Sequence, residues 1–590
     1  MMSKRIITFI FLFFSIVAYS QVTNSVLANG DWYKFAVDTT GIFKIDRSFL
    51  QQIGISTNNL NPKKIHIYGN GGNLLPEFNG DFRHEDLQEN AIYIKGEDDT
   101  SFDTNDYILF YAKGPHSWDV NAESGEVSHL QNIYSDTSHY FITVNEEDGK
   151  RVQNSVPVSG NSNLLITSFD DYIFYEKENI NLFAAGRRWL GEEFSIENQQ
   201  TFQLPFPNAS QNQDLKVTIG AVAVSGLSSL MEVTVNSQSI FNLNFTASSS
   251  SSLASDRLGT GILTNNSSST IDISIDYNNG GNPSARAYLD YIEVSGKKEL
   301  IADDFQFSFR SFEVANTSGI AEYQIQNSQN IFQVWDVTDP INATNISNDS
   351  ATGSFSFKAT TGLLNEYILV NQDDYYVPET ISNSRVENQN LHSIKDVNYL
   401  LITTNEFAEQ AQRIADYHIE NSGITVQVVM LDEIYNEFSS GSKDITGIRD
   451  FIKHVYETNS TDNKKLKYVC FFGDASYDYK DRIIGNNNIV PVYLADASYN
   501  LAFSYVTDDF FGMLEDTEGT MSSSHSMDIA TGRIPVSTQQ QARDVVDKIL
   551  RDYNVDSFGD WRNTITLLAD DIDDTSDISI QPGVETIADD

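Results

Sequence analysis

The spacing of apolar residues changes character once along this chain, near His392, and that change limits what the chain can fold into. From Gln21 to about Pro378, short runs alternate apolar and polar residues, with Asn, Gly, Asp and Ser between them. Leu215 to Ile219 (LKVTI), Met231 to Val235 (MEVTV) and Tyr288 to Val294 (YLDYIEV) are three such runs. A period of two gives a strand one buried face, and many short strands joined by turns build a two-sheet sandwich. The Ser-rich stretch Ala247 to Ser255 reads as a long exposed loop inside that sandwich. No fixed-period internal repeat is present.

After His392 the pattern is that of strands alternating with helices. Val397 to Thr403 (VNYLLIT), Ile424 to Met430 (ITVQVVM) and Tyr468 to Phe472 (YVCFF) read as buried strands. Asn405 caps a predicted helix to Asn421 with Phe407, Ala411, Ile414 and His418 on one face, and Gly423 stops it. Asp444 caps another, with Ile445, Ile448, Phe451, Ile452 and Val455 at helical spacing. Thr538 to Gln541 form a capping box that opens a helix with Ala542, Val545, Ile549 and Tyr553 inward. Ile565 to Ala569 (ITLLA) reads as one more strand. Such alternation implies right-handed crossovers and a mostly parallel sheet.

A chain of 590 residues is too long for one core, since domains hold roughly 100–200 residues each. The expected organisation is a signal peptide at 1–20, a β-rich domain at 21–195, a jelly-roll-like β-sandwich at 196–298, a β-rich connecting domain at 299–390 and an α/β domain at 391–590. The signal assignment rests on three parts. Lys4 and Arg5 give a positive start, Ile6 to Ala18 is apolar, and Ala18-Tyr19-Ser20 places small residues before a cut. The apolar run is short of the about 20 residues that span a bilayer. The expected mature chain is therefore exported, to the periplasm or outer-membrane surface, and carries no transmembrane span.

A formal charge of −44 repels phosphate backbones, which excludes nucleic acid as a partner. One cysteine, Cys470, allows no intrachain disulfide, and it excludes a thiolate zinc site. HExxH, Walker, GxSxG and EF-hand patterns are absent from the sequence.

Gly473-Asp474-Ala475-Ser476-Tyr477-Asp478 is the most pointed motif, because it directly follows a buried strand. Ligands of open parallel sheets bind beyond the carboxyl ends of strands, so Asp474 and Asp478 are substrate-pocket candidates. The same residues also make a tight turn, and on the residues alone the turn is the better account. Asp508, Asp509 and Asp528 are candidates for calcium, with nothing in their spacing to fix a geometry. Asp570, Asp571, Asp573 and Asp574 lack the Gly and Glu of an EF-hand loop. Arg533 in Gly532-Arg533-Ile534-Pro535 reads as a structural ion-pair partner. Cys470 lies mid-strand, where a thiol is desolvated and reads as a small buried hydrophobe. His418 reads as a core histidine, His454 flanks an apolar stripe, and His525 sits in a Ser-rich loop.

Val386 to His392 (VENQNLH), Asp432 to Gly441 (DEIYNEFSSG), Phe472 to Asp478 (FGDASYD) and Gly532 to Pro535 (GRIP) together resemble the gingipain-type cysteine peptidase domain. More closely, the chain is similar to the sortase-like C-terminal signal peptidases of the type IX secretion system in Bacteroidetes. Gly71 to Glu77 (GGNLLPE), Asp86 to Asn90 (DLQEN), Tyr107 to Ala112 (YILFYA), Gly186 to Trp189 (GRRW) and Val334 to Pro340 (VWDVTDP) carry that resemblance into the β-rich part. It implies a caspase-like α/β fold and a His-Cys dyad, in which the histidine takes the thiol proton and the thiolate attacks the scissile carbonyl. It also implies that a sugar amine in place of water can resolve the acyl-enzyme. None of the nine histidines here is followed by Gly, and Cys470 comes too early. The expectation is an α/β domain truncated before its dyad, by fragmentation or a broken gene model, with no catalytic residue in this chain and both dyad positions beyond Asp590.

Two functions follow as expectations. The first is the amino-terminal portion of a cell-surface cysteine endopeptidase that removes the C-terminal sorting domain from exported cargo, needs no cofactor, allows calcium, and is held by an outer-membrane secretion partner. The second is a β-sandwich module that binds glycan or protein, with a vestigial peptidase domain. This chain itself is expected to lack peptidase activity. Limited proteolysis is expected to leave a fragment ending between about Pro378 and Val397.

Overall fold

The structure, a computed structural model, describes residues 22–303, 305–349, 353–500 and 502–567, together with 583, 584 and 586. The signal segment Met1–Ser20 and the acidic run 570–574 lie outside them. Among the described residues, no helix is long and apolar enough to cross a membrane.

The β-rich part contains three packed units. In the first, a five-stranded sheet runs Glu379–Val386, Trp32–Val37, Ser138–Val144, Ile65–Tyr68 and Glu89–Asn90 in spatial order. It packs on a three-stranded sheet of Gly41–Asp46, Tyr107–Ala112 and Ile92–Lys95, around Phe35, Phe43, Phe110 and Ile142. The edge strand Glu379–Val386 returns from far along the chain to pair with Trp32–Val37, so this unit closes just before the α/β part begins.

The second unit is a two-sheet sandwich. Ser168–Glu176, Arg286–Glu299, Gln213–Val224 and Ser255–Asn266 face Gln199–Pro205, Thr270–Asn278, Ser229–Val235 and Gln238–Phe245. The alternation read in the sequence is the alternation of burial. On Thr270–Asn278, Ile271, Ile273, Ile275 and Tyr277 are buried while their neighbours are not. The Ser-rich loop joins two of these strands, and its Leu253 N–H reaches the Tyr499 carbonyl at 2.8 Å. A hairpin, Ser117–Asn121 with Glu126–Leu130, lies on the outer face of the first sheet. There Trp118 meets Tyr172 at 4.2 Å, and the His129 ring stacks on Phe174 at 4.5 Å between centroids. A third unit, built from strands between Gln153 and Asn371, packs Phe309, Tyr323, Phe357 and Tyr367 as an aromatic core.

The α/β part is a parallel sheet. Its elements are β1 (Tyr399–Thr403), α1 (Ala408–Ser422), β2 (Val426–Met430), α2 (Leu431–Phe438), α3 (Ile445–Glu457), β3 (Tyr468–Phe472), β4 (Ala530–Ile534) and α4 (Gln539–Asp552). The strand order is β2-β1-β3-β4, with every neighbour parallel. Such strands are buried on both faces, which is why they read as continuous apolar runs. Helices α1 and α4 cover one face through Phe407, Ala411, Ile414, Ala542 and Val546. Helices α2 and α3 cover the other through Ile434, Ile448, Phe451 and Ile452.

Three local expectations are corrected. Helix α1 takes Phe407, not Asn405, as its N-cap, because burying the Phe407 ring against Phe472 sets where the turn begins. At α4 the Thr538 hydroxyl accepts from Gln541 N at 3.2 Å, but the Gln541 side chain returns to Ser537 N, one residue outside the box. Residues 564–567 form no strand, and Ile565 is 86% exposed. Among the described residues the outer edge of β4 is unpaired, and Ile565–Leu567 do not add to it. Residues 568 and 569 lie outside the described set.

One long loop ties the two parts together. Residues 70–83 cross from the first β unit onto α2, α3 and the segment 513–519. Asn70 N donates to Ser440 Oγ at 3.0 Å, and Leu75 N donates to the Asp444 carboxylate at 2.9 Å. Asn79 Nδ2 reaches the carbonyls of Met513 and Glu515 at 3.0 and 2.9 Å, and Arg83 pairs with Asp450 at 2.7 Å. Arg449, fully buried, donates to the carbonyls of Glu77 and Gly519 and lies 4.0 Å over the Phe510 ring.

Candidate functional site

The order β2-β1-β3-β4 sets a switch point between β1 and β3. The chain leaves β1 through α1 toward β2, then returns through α2 and α3 to β3 on the other side of β1. Connections diverging from two adjacent strand ends leave a crevice there, and ligands of such sheets bind in it. Thr403 and Phe472 end the two strands in register, and the Thr403 hydroxyl donates to the Phe472 carbonyl at 2.7 Å.

Gly473 is the first residue past β3. A Cβ there would lie 2.7 Å from Val490 Cγ2 and 3.0 Å from Ile489 Cγ2, so glycine is what lets the 486–490 loop close over the strand end. Asp474 N donates to the Val536 carbonyl at 3.0 Å. Its carboxylate accepts from Ala475 N at 3.0 Å and from the Ser537 hydroxyl at 2.9 Å, and it also holds Asn487 Nδ2. One half-buried carboxylate thus joins the end of β3, the 486–490 loop and the entry to α4. Arg533 braces the same corner. It pairs with both oxygens of Asp508, at 2.7 and 2.9 Å, and donates to the carbonyls of Gly473, Val490 and Pro491.

The other sequence candidates fall elsewhere. Asp478 is fully buried and accepts from Lys480 N, Ile483 N and Arg482, which makes it the organiser of its own turn. Asp508 is committed to Arg533. Asp528 accepts from Leu514 N at 3.0 Å, and Asp509 begins a short turn over Asp509–Gly512. Among the described residues, no group of three or more metal-ligating side chains comes together.

Cys470 is 6% exposed in the middle of β3, between Leu401 of β1 and Gly532 of β4. Burial pushes its thiol up to about 11, and its side-chain partner is Tyr399. A thiol so placed is not a nucleophile. His418 packs on Tyr399 and Tyr553, and His525 lies in the 522–526 loop.

In the sequence His392 stands only as the end of the VENQNLH motif, yet it anchors the α/β part. Its Nδ1 lies 2.6 Å from Glu437, and its Nε2 lies 2.9 Å from the Glu85 carbonyl. Glu437, 1% exposed, also accepts from Leu391 N, His392 N and Gln389 Nε2. Burial opposes charge on His392, but the bond and charge of Glu437 outweigh it and raise its pKa. His454 adds a bond from Nε2 to the His392 carbonyl at 3.0 Å.

Residues 392–589 match the family model described as Peptidase family C25. The α/β part is a C25 peptidase domain. Over 94% of its length the chain superposes on latent PorU from Porphyromonas gingivalis, a structure described as dimeric, with a TM-score of 0.80 and 24% identity. The chain therefore has the PorU fold, and it spans about half, 52%, of that PorU chain. The CBM36-1 domain of a multidomain xylanase from the hindgut metagenome of Trinervitermes trinervoides aligns over 22% of this chain and 97% of its own. Its identity is 12% and its TM-score 0.16, too low to bear on the fold. No curated protein matches the chain. The two-part reading, β-rich units followed by a gingipain-type α/β domain, agrees with the structure and with these matches. The motifs GGNLLPE and GRRW gain a physical meaning: both lie where the β-rich part docks on the peptidase domain. Arg187 pairs with Glu77 and Asp496, and Trp189 stacks on Tyr477 at 5.9 Å.

Proposed function

We propose that this chain forms the β-rich scaffold and the first part of the peptidase domain of a sortase-like cysteine endopeptidase. That enzyme is exported by its signal peptide, is held at the outer-membrane surface by a secretion partner, and removes the C-terminal sorting signal from type IX secretion cargo. The observation that supports this reading is the switch-point corner in which Gly473, Asp474 and Arg533 fix three loops at the end of β3, within a C25 domain carried on the PorU fold. In this reading Asp474 shapes the pocket wall. Its oxygens already hold Ala475, Asn487 and Ser537, so it positions the loops that a substrate chain passes. The catalytic His and Cys belong outside these 590 residues, and this chain alone has no peptidase activity. No cofactor is required.

The glycan-binding alternative is not favoured. Sugar platforms need exposed rings, and Tyr172, Phe174 and Tyr291 on the outer sandwich face lie under Trp118 and His129.

Deletion of the gene tests the proposal. Cargo should then keep its C-terminal sorting domain, read by mass spectrometry of secreted proteins. Normal cargo termini in the deletion strain would overturn the function. Thiol-dependent peptide cleavage by the purified chain would overturn its inactivity.

A further inference from the structure

A cavity of about 280 Å³ lies where the first β unit meets the α/β part. Its β side is one face of two paired strands, on which Lys34 and His139 stand two registers apart. Its α/β side is the turn after α2, followed by Lys443. Gly441, at φ +81°, makes the approach possible. A Cβ there would lie 2.9 Å from His139 Cβ and 3.2 Å from Lys34 Cδ.

The polar groups inside are poorly served. Lys34 Nζ donates to Asn436 Oδ1 at 3.0 Å and sits 6.0 Å from the Phe141 ring centroid, the outer limit for a useful cation–ring contact. Among the described residues, neither Lys34 nor Lys443 forms an ion pair, although the charge of Asp432 acts favourably on Lys34. His139 Nδ1 is buried with no hydrogen-bond partner. Three carboxylates also line the cavity. Asp136 is paired with Lys480 at 2.8 Å, while Asp432 and Asp481 are exposed at the mouth. A desolvated ammonium with one neutral acceptor and a buried ring nitrogen without one are both costly arrangements.

We propose that this cavity binds a compact oxyanion, phosphate or carboxylate, held by Lys34 and His139 on one side and Lys443 on the other. One oxyanion supplies acceptors to all three groups at once, and bonds between an ammonium and an oxyanion are the strong kind. A metal cation is disfavoured, because the inner wall is lysine and histidine. Burial, followed by the charges of Lys34 and Lys443, pushes His139 down to about 3, so the ring meets the ligand as a neutral donor. Because its ligands come from both parts of the molecule, the anion would tie the β scaffold to the peptidase domain.

Calorimetric titration of the purified chain with inorganic phosphate and, separately, with acetate tests this, in chloride buffer at neutral pH. Saturable binding of either anion is expected, weakened roughly tenfold by Lys34→Met and by Lys443→Ala. With histidine selectively labelled with ¹⁵N, the His139 ring resonances should shift on anion addition. Binding of phosphate alone assigns the site to phosphate, and binding of acetate assigns it to carboxylates. Lys443 is exposed, so its variant remains informative even if Lys34→Met does not fold. Absence of heat and of a His139 shift with both anions, or unchanged binding by Lys443→Ala, would overturn the proposal.

Discussion

The sandwich and the α/β part close their cores in different ways. Every residue of the sandwich core lies between Ile173 and Val294, so two antiparallel sheets satisfy each other from one continuous stretch of chain. The core between the parallel sheet and helices α2 and α3 also takes in Tyr134, with Leu74 and Ile133 packed against it, all from the first β unit. Tyr134 meets Tyr479 at 4.8 Å between ring centroids. An alternating strand states its own needs locally. A parallel sheet states only that both faces must be covered, and here part of that cover arrives from more than 300 residues away.

The largest consequence concerns proteolysis. A shared core predicts that the α/β part is not shed at 378–397, as its sequence alone suggests. The first cuts should instead fall after Asp552, where Tyr553, Val555, Phe558 and Trp561 are exposed, leaving a fragment that keeps the β-rich part and α4. A stable product ending between Pro378 and Val397 would break the comparison. Next comes the buried carboxylate at the junction. Glu437→Ala leaves His392 and two backbone N–H groups without their acceptor and should cost about 3–5 kcal/mol. Hydrogen exchange should then rise in residues 70–83, 389–393 and α2 while staying unchanged in 199–278. Faster exchange in the sandwich would show that the two cores are coupled after all.

The smallest expected effect lies on the sandwich side. His129 donates its backbone N–H to Glu293 and places its two ring nitrogens 2.7 Å from Glu293 and 2.6 Å from Glu176. Burial opposes its charge, but the two carboxylates outweigh burial and raise it to about 9, above the ordinary 6.5. A raised histidine stabilises the docked hairpin fully below about pH 6.5 and loses that contribution as pH climbs through about 9. The amount is at most about 3 kcal/mol. Trp118 fluorescence followed from neutral to alkaline pH should report the hairpin loosening, and His129→Gln should flatten the profile. A profile that persists in His129→Gln would place the titration elsewhere.

Much of this was legible in the residues. Continuous runs such as YVCFF and stripes such as Ile445, Ile448, Phe451 and Ile452 located the parallel sheet and its helices, because periodicity is set by the local backbone. Asp474 and Arg533 were visible as a Gly-Asp turn after a strand and an Arg before a capped helix. What they hold was not visible, since Asn487, Ser537 and Asp508 come from separate loops. Glu437 carries no sign of burial in the sequence, because a carboxylate between Asn436 and Phe438 reads as a solvent position, and only the returning segment 389–392 buries it. Lys34 and His139 were silent for the same reason: each looks like the polar half of an alternating strand until another module covers it.

The loop over residues 70–83 also sets the order in which this molecule can finish folding. Its partners in the α/β part lie between 367 and 439 positions later in sequence. The first β unit can collapse as soon as Glu379–Val386 emerges, but the loop then waits until the segment 513–519 follows. During synthesis, which delivers the amino-terminal end first, Asn79 and Arg83 remain hydrated for most of that interval. Contacts of such sequence separation make the final docking the slow step. A chaperone that holds the early-folded scaffold would therefore meet this loop as its most persistent unfinished surface.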